Sequence, residues 1–133
     1  MILLDGNSLT LEQVVQAARA GEKVELSSAG EAQILHSRAI VDRILEEERP
    51  VYGVSTGFGD FSTVFIEKEK RAQLQRNLIL SHATGVGEPF PADVVRAAML
   101  LRANSLAKGY SGIRLETVQL LLAMLNNGVV PVI

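Results

Sequence analysis

Two side chains in this sequence carry chemistry: the phenol of Tyr52 and the imidazole of His82. Tyr52 opens the run Tyr52-Gly53-Val54-Ser55-Thr56-Gly57-Phe58-Gly59, which follows Pro50. With three glycines in eight residues there is little side chain to pack, so neither helix nor ordinary strand is expected there. Backbone this bare can approach another molecule closely, and the large polar group it presents is the Tyr52 hydroxyl. A free phenol has a pKa near ~10 and keeps its proton at neutral pH. It becomes a base only where a positive field or an electrophile lowers that value. His82, with the hydroxyl of Ser81 beside it, closes a helical pattern before Gly85 and Gly87. Taken singly, each feature has an ordinary alternative: a packed tyrosine, a hydrogen-bonded core histidine, a structural omega-type loop.

Other chemistries find less support. The glycine spacing fits neither the dinucleotide fingerprint nor the phosphate-binding P-loop. There is no His-x-x-x-His pair and no carboxylate cluster of ligand spacing, so no metal site is expected. No serine sits in a nucleophile elbow. Lys and Arg total 13 against 15 Asp and Glu, a net charge of −2, and the charges are interspersed. Such a surface offers neither a basic face for nucleic acid nor a polybasic arm for membranes. Cysteine is absent, which rules out a disulfide framework and fits a reducing compartment. No apolar run nears the ~20 residues of a membrane span, and the N-terminus turns polar at Asp5, too early for a signal peptide. The expectation is a soluble cytoplasmic chain whose 133 residues, 47% apolar and 21% charged, suffice for one compact domain.

The elements that must position Tyr52 and His82 are mostly helices. Residues 2–4 read as a short strand ending at the Asp5-Gly6-Asn7 turn, and residues 23–26 as a second. Thr10 with Gln13 forms a capping box, Leu9 and Val14 are placed as a staple, and Leu11, Val14, Val15 and Ala18 share the apolar face that follows. Ser28 with Glu31 reads as another capping box, opening a helix striped by Ile34, Val41, Ile44 and Leu45, with His36 facing solvent. Pro50 forbids its continuation. A third helix is expected over about 67–82, with a solvated start from Lys68 to Arg71. Spacings of four there align Leu74, Leu78 and His82, placing His82 on the buried stripe. A fourth, about 92–108, and a fifth, about 115–127, are apolar almost all round. The chain closes on Val129-Val130-Pro131-Val132-Ile133. Two helices of this kind and an apolar tail suit the interior of something larger, so truncation, or completion of the core by self-association, is expected.

Three long motifs in order, residues 52–59, 75–87 and 101–114, together with the opening Leu3-Leu4-Asp5-Gly6, resemble the amino-terminal part of the aromatic amino acid ammonia-lyase family, specifically its histidine-specific members. The likeness covers essentially the whole chain. It implies a mainly α fold with one or two short β-strands: the amino-terminal part of the fumarase/aspartase-like fold, ending before the main helical bundle. A single region, 1–133, would divide into a globular part, 1–90, with the tyrosine loop, and the start of the helical domain, 91–133. The reaction implied is loss of ammonia from L-histidine to give urocanate, within homotetramers. The resemblance assigns Tyr52 as the base removing the β-proton, and His82, with Ser81 as a weaker contact, to the substrate ring. Gly53, Gly57, Phe58 and Gly59 complete the active-site loop. Phenylalanine- or tyrosine-specific lyases and aminomutases share this chemistry, and a non-catalytic helical interaction module derived from a lyase is the alternative of another class. The family's electrophile, methylidene-imidazolone, forms from an internal Ala-Ser-Gly. That tripeptide does not occur here; Ser28-Ala29-Gly30 comes nearest, in the wrong order. The chain alone is therefore expected to be inactive.

Overall fold

A computed structural model of the chain describes residues 1–61 and 66–133. Its elements are β1 (Ile2–Leu4), α1 (Leu11–Arg19), β2 (Val24–Leu26), α2 (Ser28–Glu46), a 3₁₀ turn at Gly59–Phe61, α3 (Lys68–His82), α4 (Ala92–Ala107) and α5 (Leu115–Asn126). Helix dominates and both short strands form, as the sequence predicts. Among the described residues, no helix is long and apolar enough to cross a membrane.

The chain divides into two compact units, Met1–Ala39 with Glu88–Ile133, and Ile40–Gly87. The first unit is thus discontinuous in sequence. In the first unit β1 and β2 pair in parallel, Ile2 opposite Val24 and Leu4 opposite Leu26. A parallel pair needs a crossover, and α1 supplies it. The core gathers Ile2, Leu4 and Val24 from the strands, Ala17 and Ile34 from α1 and α2, and Val95, Met99, Leu100, Val118 and Leu125 from α4 and α5.

Polar side chains close what the short sheet leaves open. The Asn126 amide accepts from the Val24 N–H at 3.0 Å and donates to the Val24 carbonyl at 2.8 Å. One side chain thus takes the place of a third strand at the outer edge of β2. The Arg96 guanidinium donates to the Ala17, Ala18 and Leu125 carbonyls at 2.7, 3.0 and 2.9 Å. It thereby satisfies the carboxyl ends of α1 and α5 together.

Several local expectations need correction. The capping box at Thr10 and Gln13 forms, with reciprocal bonds of 3.3 and 3.0 Å. The cap of α2, however, is Ser27: its hydroxyl accepts from Gly30 N at 3.0 Å, and Ser28 is already the first helical residue. On α1 the buried residues are Ala17 and Ala18, whereas Leu11 and Val15 are exposed. Both alanines lie where Arg96 bonds their carbonyls. Helices α4 and α5 are not buried all round: Val94, Leu101 and Leu120 lie open. Helix α3 stops at Ala83, whose ψ of 63° leaves the helical range, before either glycine. At its start Glu69 and Lys70 are exposed, while the side chains of Lys68 and Arg71 lie outside the described residues.

Candidate functional site

Tyr52, Ser81 and His82 all belong to the second unit. Helix α2 ends at Glu46, and the chain turns through Glu48, a non-glycine residue at φ 51°, towards Pro50. Pro50 has no N–H to offer, so the loop is tied on either side of it. Ser55 does this: its hydroxyl accepts from Val51 N at 2.9 Å and donates to the Arg49 carbonyl. The Val51 carbonyl then accepts from both Val54 N and Ser55 N, at 3.1 and 3.0 Å, which winds Tyr52 and Gly53 into a closed turn. Ser55 is fully buried and Thr56 nearly so. The Thr56 hydroxyl donates to the Gly57 carbonyl at 3.2 Å.

This turn holds the Tyr52 ring outward. Tyr52 is 63% exposed and meets Phe58 edge-on, with ring centres 6.1 Å apart. Gly53 sits at φ 70°, and a Cβ there would stand 3.2 Å from the Phe58 ring. Glycine at 53 therefore lets Phe58 tuck against the turn and support the neighbouring tyrosine. Gly57 is buried and Gly59 exposed.

Ser81 and His82 occupy the last turn of α3. The His82 Nδ1 lies 2.9 Å from the Leu78 carbonyl and 3.0 Å from Ser81 Oγ, and that hydroxyl donates to the same carbonyl at 2.9 Å. The stripe of four-residue spacings predicts a buried imidazole, yet His82 is exposed while Leu74 and Leu78 are half-buried. No hydrogen bond or ring contact among the described residues links Tyr52 with His82. At the other end of α3, Lys70 bonds Glu67 at 2.7 Å. That hydrogen bond holds the Glu67 carboxyl below its ordinary range and the Lys70 ammonium above its own.

The loop's hidden parts are Ser55 and Thr56, which the sequence leaves unremarked. Their signal is small hydroxyl residues between glycines, where loop amides and carbonyls need partners. A surface cavity of about 310 Å³ is lined by Asn7, Gln33, His36, Lys108, Gly109 and Tyr110, and by none of the candidate residues. Among the described residues no three His, Asp or Glu side chains group as a metal would require.

Comparison with known proteins bears on this arrangement. Histidine ammonia-lyase of Caldanaerobacter subterraneus subsp. tengcongensis is 57% identical over 99% of the chain, and the match spans 26% of that protein. The chain thus has about a quarter of the length of the curated relatives it matches. Among solved structures, ergothionase from Treponema denticola superposes with a TM-score of 0.93 at 33% identity, covering 98% of this chain and 26% of that one. Histidine ammonia-lyase from Trypanosoma cruzi gives a TM-score of 0.86 at 40% identity, covering 96% and 24%. The family model described as aromatic amino acid lyase matches residues 9–133. With nearly every residue matched, this chain belongs to the aromatic amino acid lyase family.

Proposed function

We propose that this chain is the amino-terminal quarter of a histidine ammonia-lyase, in which Tyr52 takes the β-proton of L-histidine and His82 receives its imidazole. The observation that carries the reading is the 57% identity to histidine ammonia-lyase across 99% of the chain. Geometry supports the roles. A loop tied down at Ser55 presents a phenol to the outside, and a helix end presents an imidazole, so both polar groups are free to meet a substrate. Selectivity follows from hydrogen bonding: a ring that leaves the His82 nitrogen unpaired in a closed site binds less well.

The family's methylidene-imidazolone does not fit this chain's own residues. Its precursor Ala-Ser-Gly is missing from the sequence, and Tyr52 and His82 are exposed rather than set around a closed cavity. Offered L-histidine, the chain alone is expected to give no urocanate, read by ultraviolet absorbance, and any turnover would contradict this. In the parent, Tyr52→Phe is expected to lower kcat by roughly 10²- to 10⁴-fold, the usual worth of a positioned base. A kcat left within a few-fold of wild type would remove Tyr52 from that role.

The parent is proposed to act as a homo-oligomer. Supporting this, Val94, Leu101, Leu120, Val132 and Ile133 lie open to solvent. Exposed apolar side chains in such number are surface waiting for cover. The isolated chain is accordingly expected to self-associate, its mass by light scattering rising with concentration. A strictly monomeric, folded chain at high concentration would argue that these side chains tolerate water.

A further inference from the structure

We propose that Ser81 and the Leu78 carbonyl lock His82 in its Nδ1-protonated tautomer, so that Nε2 is a fixed acceptor for an N–H of the substrate ring. The proposal rests on the reading that the parent acts on histidine, and it gives Ser81 a positioning role in place of a substrate contact.

The proton count decides the tautomer. A carbonyl oxygen only accepts, and His82 Nδ1 stands 2.9 Å from that of Leu78. With a bare lone pair on Nδ1, two electron-rich atoms would face each other at hydrogen-bond distance, which is repulsive. With the proton there, the contact is a hydrogen bond. The Ser81 hydroxyl has one hydrogen, and its bond to the Leu78 carbonyl at 2.9 Å uses it. What Ser81 Oγ turns towards Nδ1, at 3.0 Å, is therefore a lone pair, which again asks for a proton on Nδ1. A neutral imidazole carries one N–H. Once that proton is on Nδ1, Nε2 holds a lone pair, and the exposure of His82 leaves that nitrogen open.

The consequence is chemical selection. A neutral histidine side chain always has a ring N–H to give, and a phenyl ring has none. An acceptor held in one orientation rewards the first ring and is left unpaired by the second. A freely exchanging imidazole could instead present either a donor or an acceptor, and would discriminate less. Fixing the proton through the other ring nitrogen is how protein histidines are commonly given one role.

The tautomer can be read directly in this chain, which has two histidines. His36, exposed on α2 and without a ring hydrogen bond among the described residues, serves as the reference in the same sample. With ¹⁵N-labelled histidine at mildly alkaline pH, where imidazoles are neutral, multiple-bond ¹H–¹⁵N correlation spectra distinguish the protonated from the bare ring nitrogen. His82 is expected to show the proton on Nδ1, and His36 the ordinary mixture dominated by Nε2–H. A His82 pattern equal to that of His36, or one with the proton on Nε2, overturns the proposal. In Ser81→Ala the ratio of Nδ1–H to Nε2–H forms is expected to fall by roughly two- to tenfold, the worth of one exposed hydrogen bond. An unchanged ratio would remove Ser81 from the lock. The spectrum needs no turnover, so a failed tautomer and a failed assignment of histidine as substrate would be told apart.

Discussion

Gly109→Ala is expected to destabilise the chain by more than about 3 kcal/mol, most of it from a collision between backbones. Gly109 follows the carboxyl end of α4 at φ 72°, and a Cβ there would lie 2.5 Å from the Gln33 carbonyl oxygen and 2.7 Å from its carbon. Left-handed backbone costs a non-glycine residue about 1–2 kcal/mol. Overpacking against atoms that cannot swing aside adds about 1–3 kcal/mol. Gln33 cannot swing aside, since its backbone is part of α2. With its amide nitrogen turned to α4, the orientation its neighbours favour, its side chain can also donate to the Ala107 carbonyl at 2.9 Å. Pushing α2 off would break that cap as well. Gly21→Ala isolates the conformational part: Gly21 sits at φ 70°, and an added Cβ meets nothing within 4 Å. Only about 1–2 kcal/mol is expected there. Urea unfolding followed by circular dichroism measures both. Equal losses would mean that α2 does not press on the end of α4.

That contrast also marks how far the sequence can be read. Both glycines announce a helix end, and the helices do end beside them. Nothing local tells which one also lies under another backbone. Signals that act within a turn of chain are legible: the Thr10–Gln13 capping box and Pro50 behave as their chemistry requires. One slips by a residue, because Ser27 and Ser28 can each cap and only the path of β2 into α2 selects Ser27. Burial is less legible. Leu11 and Val15 are larger and more apolar than Ala17 and Ala18, yet the alanines are inside. What packs there comes from far along the chain: Arg96, 78 and 79 residues away, bonds the Ala18 and Ala17 carbonyls. Asn126 likewise reads as a helix terminator until its bonds to Val24, 102 residues earlier, are seen.

The candidate site divides the same way. The bare loop and the helix-borne imidazole are visible as patterns, and the resemblance supplies their roles. What supports them lies below that resolution. Ser55 is one small residue in a run of small residues, and its task is defined by which carbonyl and amide face it across Pro50. The position of His82 shows the converse error. A four-residue spacing predicts that it shares the environment of Leu74 and Leu78, but a stripe states which side chains are aligned, not what lies opposite them.

Arg96→Met is the sharper test of long-range design, with an expected loss of about 3 kcal/mol or more. Hydrogen bonds from a charged donor are worth about 1.5–3 kcal/mol each and do not add fully. Arg96 makes three, to carbonyls in the last turns of α1 and α5. Later amides bond the Gln16, Met124 and Leu125 carbonyls, but none bonds Ala17 or Ala18, and each helix carries the negative end of its dipole towards the guanidinium. Methionine keeps much of the apolar stem and deletes the fork, leaving the Ala17 and Ala18 carbonyls unpaired, while the Leu125 carbonyl keeps the Gly128 N–H at 3.3 Å. Arg96→Lys should recover less than half of the loss, because a compact ammonium cannot span two helix ends as a planar guanidinium does. Arg19→Ala is the control for charge alone. It removes an exposed pair, 3.1 Å from Asp93, and is expected to change stability by no more than about 0.5 kcal/mol. If Arg96→Met falls within that same half kilocalorie, apolar packing by residues such as Val118 and Leu125 already fixes where α1 and α5 end, and the guanidinium merely occupies the gap. If lysine restores full stability, positive charge between two dipole ends suffices, and the geometry of the fork is incidental.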